Sequence, residues 1–181
     1  NLSGARFEGC DLTDLQIPRV YADKIEFIRC ELEGMHAPSI RFREGFFEEC
    51  RCDDATLDLA YMDQVTLLDT SFQRCLIRRS TWGGARVERC NFTGSSFFEA
   101  TLADAVFIDC QFRDAILSWD GEPKDFGRAH NTCFVRCDFR GANLEGLRLK
   151  GTVFEGCAFY GVRGRPIIEG PFTIIDGDMS R

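Results

Sequence analysis

The chain has 181 residues, 44% of them hydrophobic and 17 of them Phe, enough for one packed domain or one elongated array and too apolar for a disordered polypeptide. A net charge of −7 excludes the basic face that direct binding to nucleic acid or to an anionic membrane requires, and no apolar run approaches the roughly 18 to 20 residues of a membrane span. The composition predicts a soluble cytoplasmic protein whose partner is another protein.

From the first residues onward the chain has a period of five. Leu2, Phe7, Leu12, Ile17, Ala22 and Phe27 open a series in which every fifth residue is apolar as far as Leu117. At an apolar fraction of 44% such a run has a chance on the order of 10⁻⁹ per phase, so it reflects the fold. Two residues before each of these positions stands a second restricted one, usually compact, as in Ala5, Cys10, Cys30, Ala55, Ala85 and Ala105. A helix of period 3.6 or a strand of period 2 would not produce this spacing. A unit that hides one large and one small residue and frees three others describes one wall of a coil.

The cysteines set the number of walls. Cys10, Cys30, Cys50, Cys90 and Cys110 lie on one ladder of twenty residues, with Thr70 filling the gap, and twenty divided by five gives four walls per coil. Like residues then stack at about 4.8 Å, the spacing of a parallel sheet. The ten cysteines, all but Cys133 on inward, stacked positions, read as buried thiols acting as small hydrophobes rather than as a disulfide framework.

After Leu117 the phase is lost, and it returns at Phe134, Phe139, Leu144, Leu149, Phe154 and Phe159. Cys110 and Cys137 are 27 residues apart, so one wall has gained seven residues. The expectation is a loop over Asp120 to Asn131, replacing one wall and bulging from the rod. Its candidate binding residues are Asp120, Glu122, Lys124, Asp125, Phe126, Arg128 and His130; a tolerated insertion without a role is the alternative. Residues 1–161 read as the solenoid and 162–181 as a segment that leaves the repeat. There Ile167, Ile168, Phe172, Ile174 and Ile175 are too apolar for a solvated end and are expected to cap the last coil or make a homodimer contact.

Units such as GARFEGCDLTD, ATLADAVFIDCQFRDAIL and CDFRGANLEGLRLKG resemble the pentapeptide-repeat family, over nearly the whole chain up to Gly161. The resemblance implies an all-β, right-handed quadrilateral β-helix, here of about seven to eight coils. It also brings in the quinolone-resistance (Qnr) proteins, acidic rods that resemble duplex DNA and bind DNA gyrase or topoisomerase IV.

No catalytic constellation stands out. The histidines are His36 and His130, and no phosphate loop or nucleophile elbow is present. His130, Cys133 and Cys137 have ligand-like spacing, but Cys137 belongs to the inward column and Cys133 faces out, so neither a metal nor any other cofactor is expected. A convex rod reads as a non-enzyme. Its charge is unevenly spread: the walls centred on Phe7 and on Leu12 sum to −3 and −4, the other two to 0 and +1. The acidic candidates for partner binding are Asp11, Asp14, Glu31, Glu33, Glu48, Glu49, Asp53 and Asp54. Outward Ile28, Phe46, Leu68, Val106, Ile108, Val135 and Val153 read as an apolar stripe on the first wall. Two functions stand open: a DNA-mimicking modulator of a type II topoisomerase that gives tolerance of its poisons, and a scaffold or targeting module for some other protein, free-standing or within a longer chain.

Overall fold

A computed structural model describes residues 1–121 and 126–177. Among these the structure is all-β, a parallel solenoid of about eight turns. The first wall is built by β1 (Arg6–Glu8), β2 (Glu26–Ile28), β3 (Phe46–Glu48), β4 (Thr66–Leu68), β5 (Arg86–Glu88), β6 (Val106–Ile108), β8 (Cys133–Val135), β10 (Thr152–Glu155) and β12 (Phe172–Ile175), stacked in that order. On the fourth wall β7 (Arg128–His130), β9 (Arg148–Lys150) and β11 (Ile167–Ile168) form a second sheet. The second and third walls are held by single parallel bridges one coil apart, such as Asp11 to Glu31 and Gln16 to His36.

The five-residue period arises at the corners. After Leu12 the chain turns through Thr13 and Asp14, and the Leu15 amide donates to the Leu12 carbonyl at 3.1 Å. Asp14 has a φ of 56°, as the third position of a type II turn demands, and Gly and Asp recur at this place because they tolerate it. Corners after the first wall differ. The amide of Cys30 instead meets the Sγ of Cys50 at 3.5 Å, and the Cys50 amide meets the Thr70 hydroxyl at 3.3 Å. The thiols in turn donate to main-chain carbonyls one coil back, Cys50 to Phe27 at 3.3 Å and Cys157 to Phe134 at 3.3 Å. Column cysteines are thus more than small hydrophobes: they supply the hydrogen bonds that this corner lacks. Thr70 does the same with its hydroxyl, donating to the Leu68 carbonyl at 2.8 Å, which explains a threonine in a cysteine column.

Central residues fill the interior. Phe rings stack along the axis, Phe107 on Phe134 and Phe134 on Phe154 at 5.1 Å, and meet edge-on across a corner, as Phe134 does Phe139 at 81°. Where the central residue is small its compact neighbour grows: Ala22 is accompanied by Val20 and Ala37 by Met35, which keeps the local volume filled.

Two expectations change. Arg128–His130 does not bulge but forms β7, with buried Ala129 at the wall centre stacked on Leu149. The Leu102 amide donates to the Arg128 carbonyl at 2.7 Å, so the extra residues lie before Ala129 and the insertion ends by Gly127. The tail does not leave the repeat at once: β12 pairs with β10 and β11 with β9, adding one more rung to two walls. Ile167, Ile168, Phe172, Ile174 and Ile175 remain 41–51% exposed, so this rung extends the coil without closing its end.

Candidate functional site

The acidic corner between the first and second walls is where charge is least compensated. Every base on these walls is in an ion pair, mostly across one coil: Arg74 with Asp54 and Arg89 with Asp69 at 2.6 Å, Arg136 with Asp109 at 2.6 Å, Arg51 with Glu33 at 3.0 Å, and Arg29 with Glu8. These arginines hold the carboxyls of Asp54, Asp69 and Asp109 below the usual range, through hydrogen bonds that outweigh partial burial. Asp138 sits between Arg140 and Arg113; burial pushes its carboxyl up, and the two guanidinium groups more than reverse this, to about 2.

Three of the acidic candidates are committed to such contacts. Glu33 and Asp54 are ion-paired, and Asp53 is buried, accepting from the Ser71 hydroxyl at 2.5 Å and the Gln73 amide at 2.9 Å. Among the described residues, Asp14, Glu31, Glu48 and Glu49 enter no ion pair, and Asp11 accepts only from Thr13, at 2.8 and 3.1 Å. All five lie in the first three coils. Summing charge by wall did not separate them from their neighbours; pairing acids with bases twenty residues away would have. The expected apolar stripe is not an open surface, since Ile28 is buried, Phe46, Leu68, Val106, Ile108, Val135 and Val153 are half-buried, and polar residues such as Glu26, Glu48, Thr66 and Glu88 stand between them on the rungs.

At the insertion, Glu122, Lys124 and Asp125 lie outside the described residues. Its stem is fixed by Trp119, which packs on Gly127 and Gly146 so closely that a Cβ on either would collide with it, and carries the Arg148 guanidinium 5.0 Å from its ring. Asp120 is exposed beside this clamp and Phe126 half-buried. Arg128 and His130 belong to β7; the His130 ring bonds Glu169 at 2.7 Å, and Glu169 also pairs with Arg148. His130, Cys133 and Cys137 do not converge, and no group of three or more His, Cys, Asp or Glu among the described residues is placed to hold a metal. No helix of the described residues is long and apolar enough to cross a membrane.

The C-terminal end holds an apolar recess. It has a volume of about 570 Å³, and its walls are the bared core of the last coils, Leu144, Leu149, Phe154 and Phe159, with Phe172 and Ile174 of the final rung. At the other end Leu2, Phe7 and Leu12, in the first described coil, are half-buried.

The family model for pentapeptide repeats matches residues 83–118 and 132–163, in eight copies. The gap between the two matches is the insertion. Residues 1–82 build the same coils but depart from the family's small residue before a large one, as at Val20 and Met35. A search of curated protein sequences finds no match. Among solved structures, trypsin-treated QnrB1, described as a plasmid-mediated fluoroquinolone resistance protein, aligns at 15% identity over 93% of this chain and 89% of its own, with a TM-score of 0.67. The pentapeptide-repeat protein Rfr23 from the cyanobacterium Cyanothece 51142 aligns at 14% identity over 55% of this chain and 64% of its own, with a TM-score of 0.47. HetL from the cyanobacterium Nostoc sp. strain PCC 7120, described as involved in heterocyst differentiation regulation, aligns at 12% identity over 98% of this chain and 86% of its own, with a TM-score of 0.43. At these identities the likeness is one of fold.

Proposed function

Residues 83–118 and 132–163 are pentapeptide repeats, and from that premise we propose that the chain is a non-catalytic binding rod which occupies the DNA site of a type II topoisomerase and gives tolerance of topoisomerase poisons. The observation that carries this reading is the group of carboxylates without a base partner in the first three coils, Asp11, Glu31, Glu48 and Glu49 at the corner between the first and second walls and Asp14 at the next corner. Asp11 and Glu31 stand one rung apart, about 4.8 Å, and with Glu48 and Glu49 beside them they offer a basic groove clustered negative charge in place of phosphates. QnrB1, with the same fold, is described as a fluoroquinolone resistance protein. The open C-terminal recess would be covered by a second copy, giving a dimer that doubles the length of the rod. The test is gyrase supercoiling with and without a fluoroquinolone: micromolar protein should inhibit supercoiling or restore it in the presence of drug, and neither effect would dismiss the reading.

The second reading, a scaffold or targeting module for another protein, is favoured by the cross-coil ion pairs. Arg29, Arg51, Arg74, Arg89 and Arg136 neutralise much of both acidic walls, so the negative field is confined to a short stretch.

A further inference from the structure

Diagonally across the rod from the acidic residues, the corner between the third and fourth walls has the opposite character. Tyr21, Arg41 and Tyr61 are stacked one per coil, joined by parallel bridges, and the two tyrosines are 55% and 47% exposed. The Arg41 guanidinium lies 4.9 Å from the Tyr21 ring and is braced by Asp23 at 2.8 Å, so the ladder is held in place before anything binds. Arg19 and Arg43 flank it. Arg19 enters no ion pair among the described residues, and Arg43 reaches Asp63 only at 3.8 Å, while Asp63 already accepts from the Thr81 hydroxyl and the Gly83 amide at 2.9 Å. These groups line a recess of about 520 Å³. Along the same corner a second recess of about 360 Å³ follows, lined by Asp58, Leu59, 47% exposed, Arg78, Arg79 and Phe98, with Arg78 paired to Asp58 and Arg79 to Glu99.

We propose that this corner is a second interaction surface, which takes an extended acidic segment of a partner protein. Tyrosine and arginine are the side chains that most often dominate protein interfaces, and here they alternate on a rigid, preorganised ladder. The recesses run along five coils, four rung intervals or about 19 Å, which suits an extended peptide of five or six residues. Arg19 and Arg43 are positioned to meet its carboxylates, and Tyr21, Tyr61 and Leu59 to cover its apolar side chains. A nucleic acid fits less well, because a continuous phosphate backbone would pass Asp23, Asp58 and Asp63, whereas separated carboxylates need not. The surface is independent of the acidic corner, so a rod engaged there would keep this side free to hold a further protein.

The probe is a fluorescein-labelled peptide of Glu, Leu and Gly, with a twin carrying Gln for Glu and a fluorescein-labelled oligothymidylate as the nucleic-acid arm, read by anisotropy at low salt. Saturable submillimolar binding of the Glu peptide is expected, at least tenfold weaker for the Gln twin. Arg19→Gln with Arg43→Gln, and separately Tyr61→Ala, should each weaken it about tenfold, with circular dichroism unchanged, while Glu48→Gln on the opposite corner should leave it alone. Absence of saturation, equal binding of the Gln twin, indifference to the arginine pair, or oligothymidylate binding that the arginine pair abolishes would each overturn the proposal.

Discussion

Replacing Thr70 by Val tests the account of the cysteine column with almost no change of volume. Thr70 is 1% exposed, its hydroxyl donates to the Leu68 carbonyl at 2.8 Å, and it accepts from the Cys50 amide at 3.3 Å. Leu68 keeps the Glu49 amide at 3.0 Å when the hydroxyl is lost, so the main consequence falls on the Cys50 N–H, left buried without an acceptor. Orphaning a buried donor costs about 1–3 kcal/mol, offset in part by the better burial of a methyl group, so a net loss of about 1–2 kcal/mol is expected. For a chain of this size that is a fall in Tm of about 2–8 °C. Thr70→Cys, which restores the column residue, should cost less than about 1 kcal/mol. Urea unfolding followed by circular dichroism gives both values. If Thr70→Val matches or exceeds the wild type, the column residues act by packing alone and the hydrogen-bonding account of this corner is wrong.

Thiol titration with a disulfide reagent at pH 8 should count two fast groups, Cys10 and Cys133, which are half-exposed; burial raises Cys50 to about 11 and Cys75 to about 12, so the eight buried thiols react only in denaturant. Eight or more fast thiols in native buffer would refute the burial. Acid should loosen the rod over a defined window: because the folded pKa of Asp138 is depressed to about 2, its contribution is complete above about pH 4 and is lost as pH falls toward 2. Screening limits that contribution to about 1 kcal/mol, so Asp138→Asn should lower urea stability by that amount at pH 7 and by little at pH 2. Removing residues 121–127 restores the five-residue spacing between Leu117 and Ala129, so the variant should fold with an unchanged far-ultraviolet spectrum. If the insertion takes part in topoisomerase binding, this deletion abolishes protection; unchanged protection would make the insertion passive. Ile174→Glu, at the open end, should convert a dimer into a monomer of 20.5 kDa by light scattering, and a wild type that is already monomeric would remove the dimer from the account.

The wall assignment was legible because a solenoid repeats its core volume at fixed spacing, so Phe92, Phe97, Leu102, Phe107 and Phe112 could each be placed from position alone. The insertion's far boundary was not: Ala129 is small, lies in phase with Phe134, and is followed by Asn131 in a left-handed turn, none of which distinguishes a wall from a loop without its neighbour Leu149. The final rung was hidden because Leu149 and Ile168 are 19 residues apart, breaking the count by one. Within the acidic candidates, wall totals gave the sign of the field but not its distribution. The distribution depends on which bases stand one coil above an acid, as Arg74 stands above Asp54 and Arg89 above Asp69. The tyrosine and arginine ladder escaped because Tyr21, Arg41 and Tyr61 occupy free positions, where the period constrains nothing.

In the proposed function, uncompensated carboxylates on the first three coils take the place of DNA. The most direct measurement compares the wild type with Glu31→Gln, Glu48→Gln and Glu49→Gln combined, in gyrase supercoiling with a fluoroquinolone present. Exposed charges at an interface are each worth roughly 0.5–1 kcal/mol, so the triple variant should need at least tenfold more protein for the same protection while remaining folded. Protection by the triple variant equal to that of the wild type, or none by the wild type at micromolar concentration, would contradict the claim.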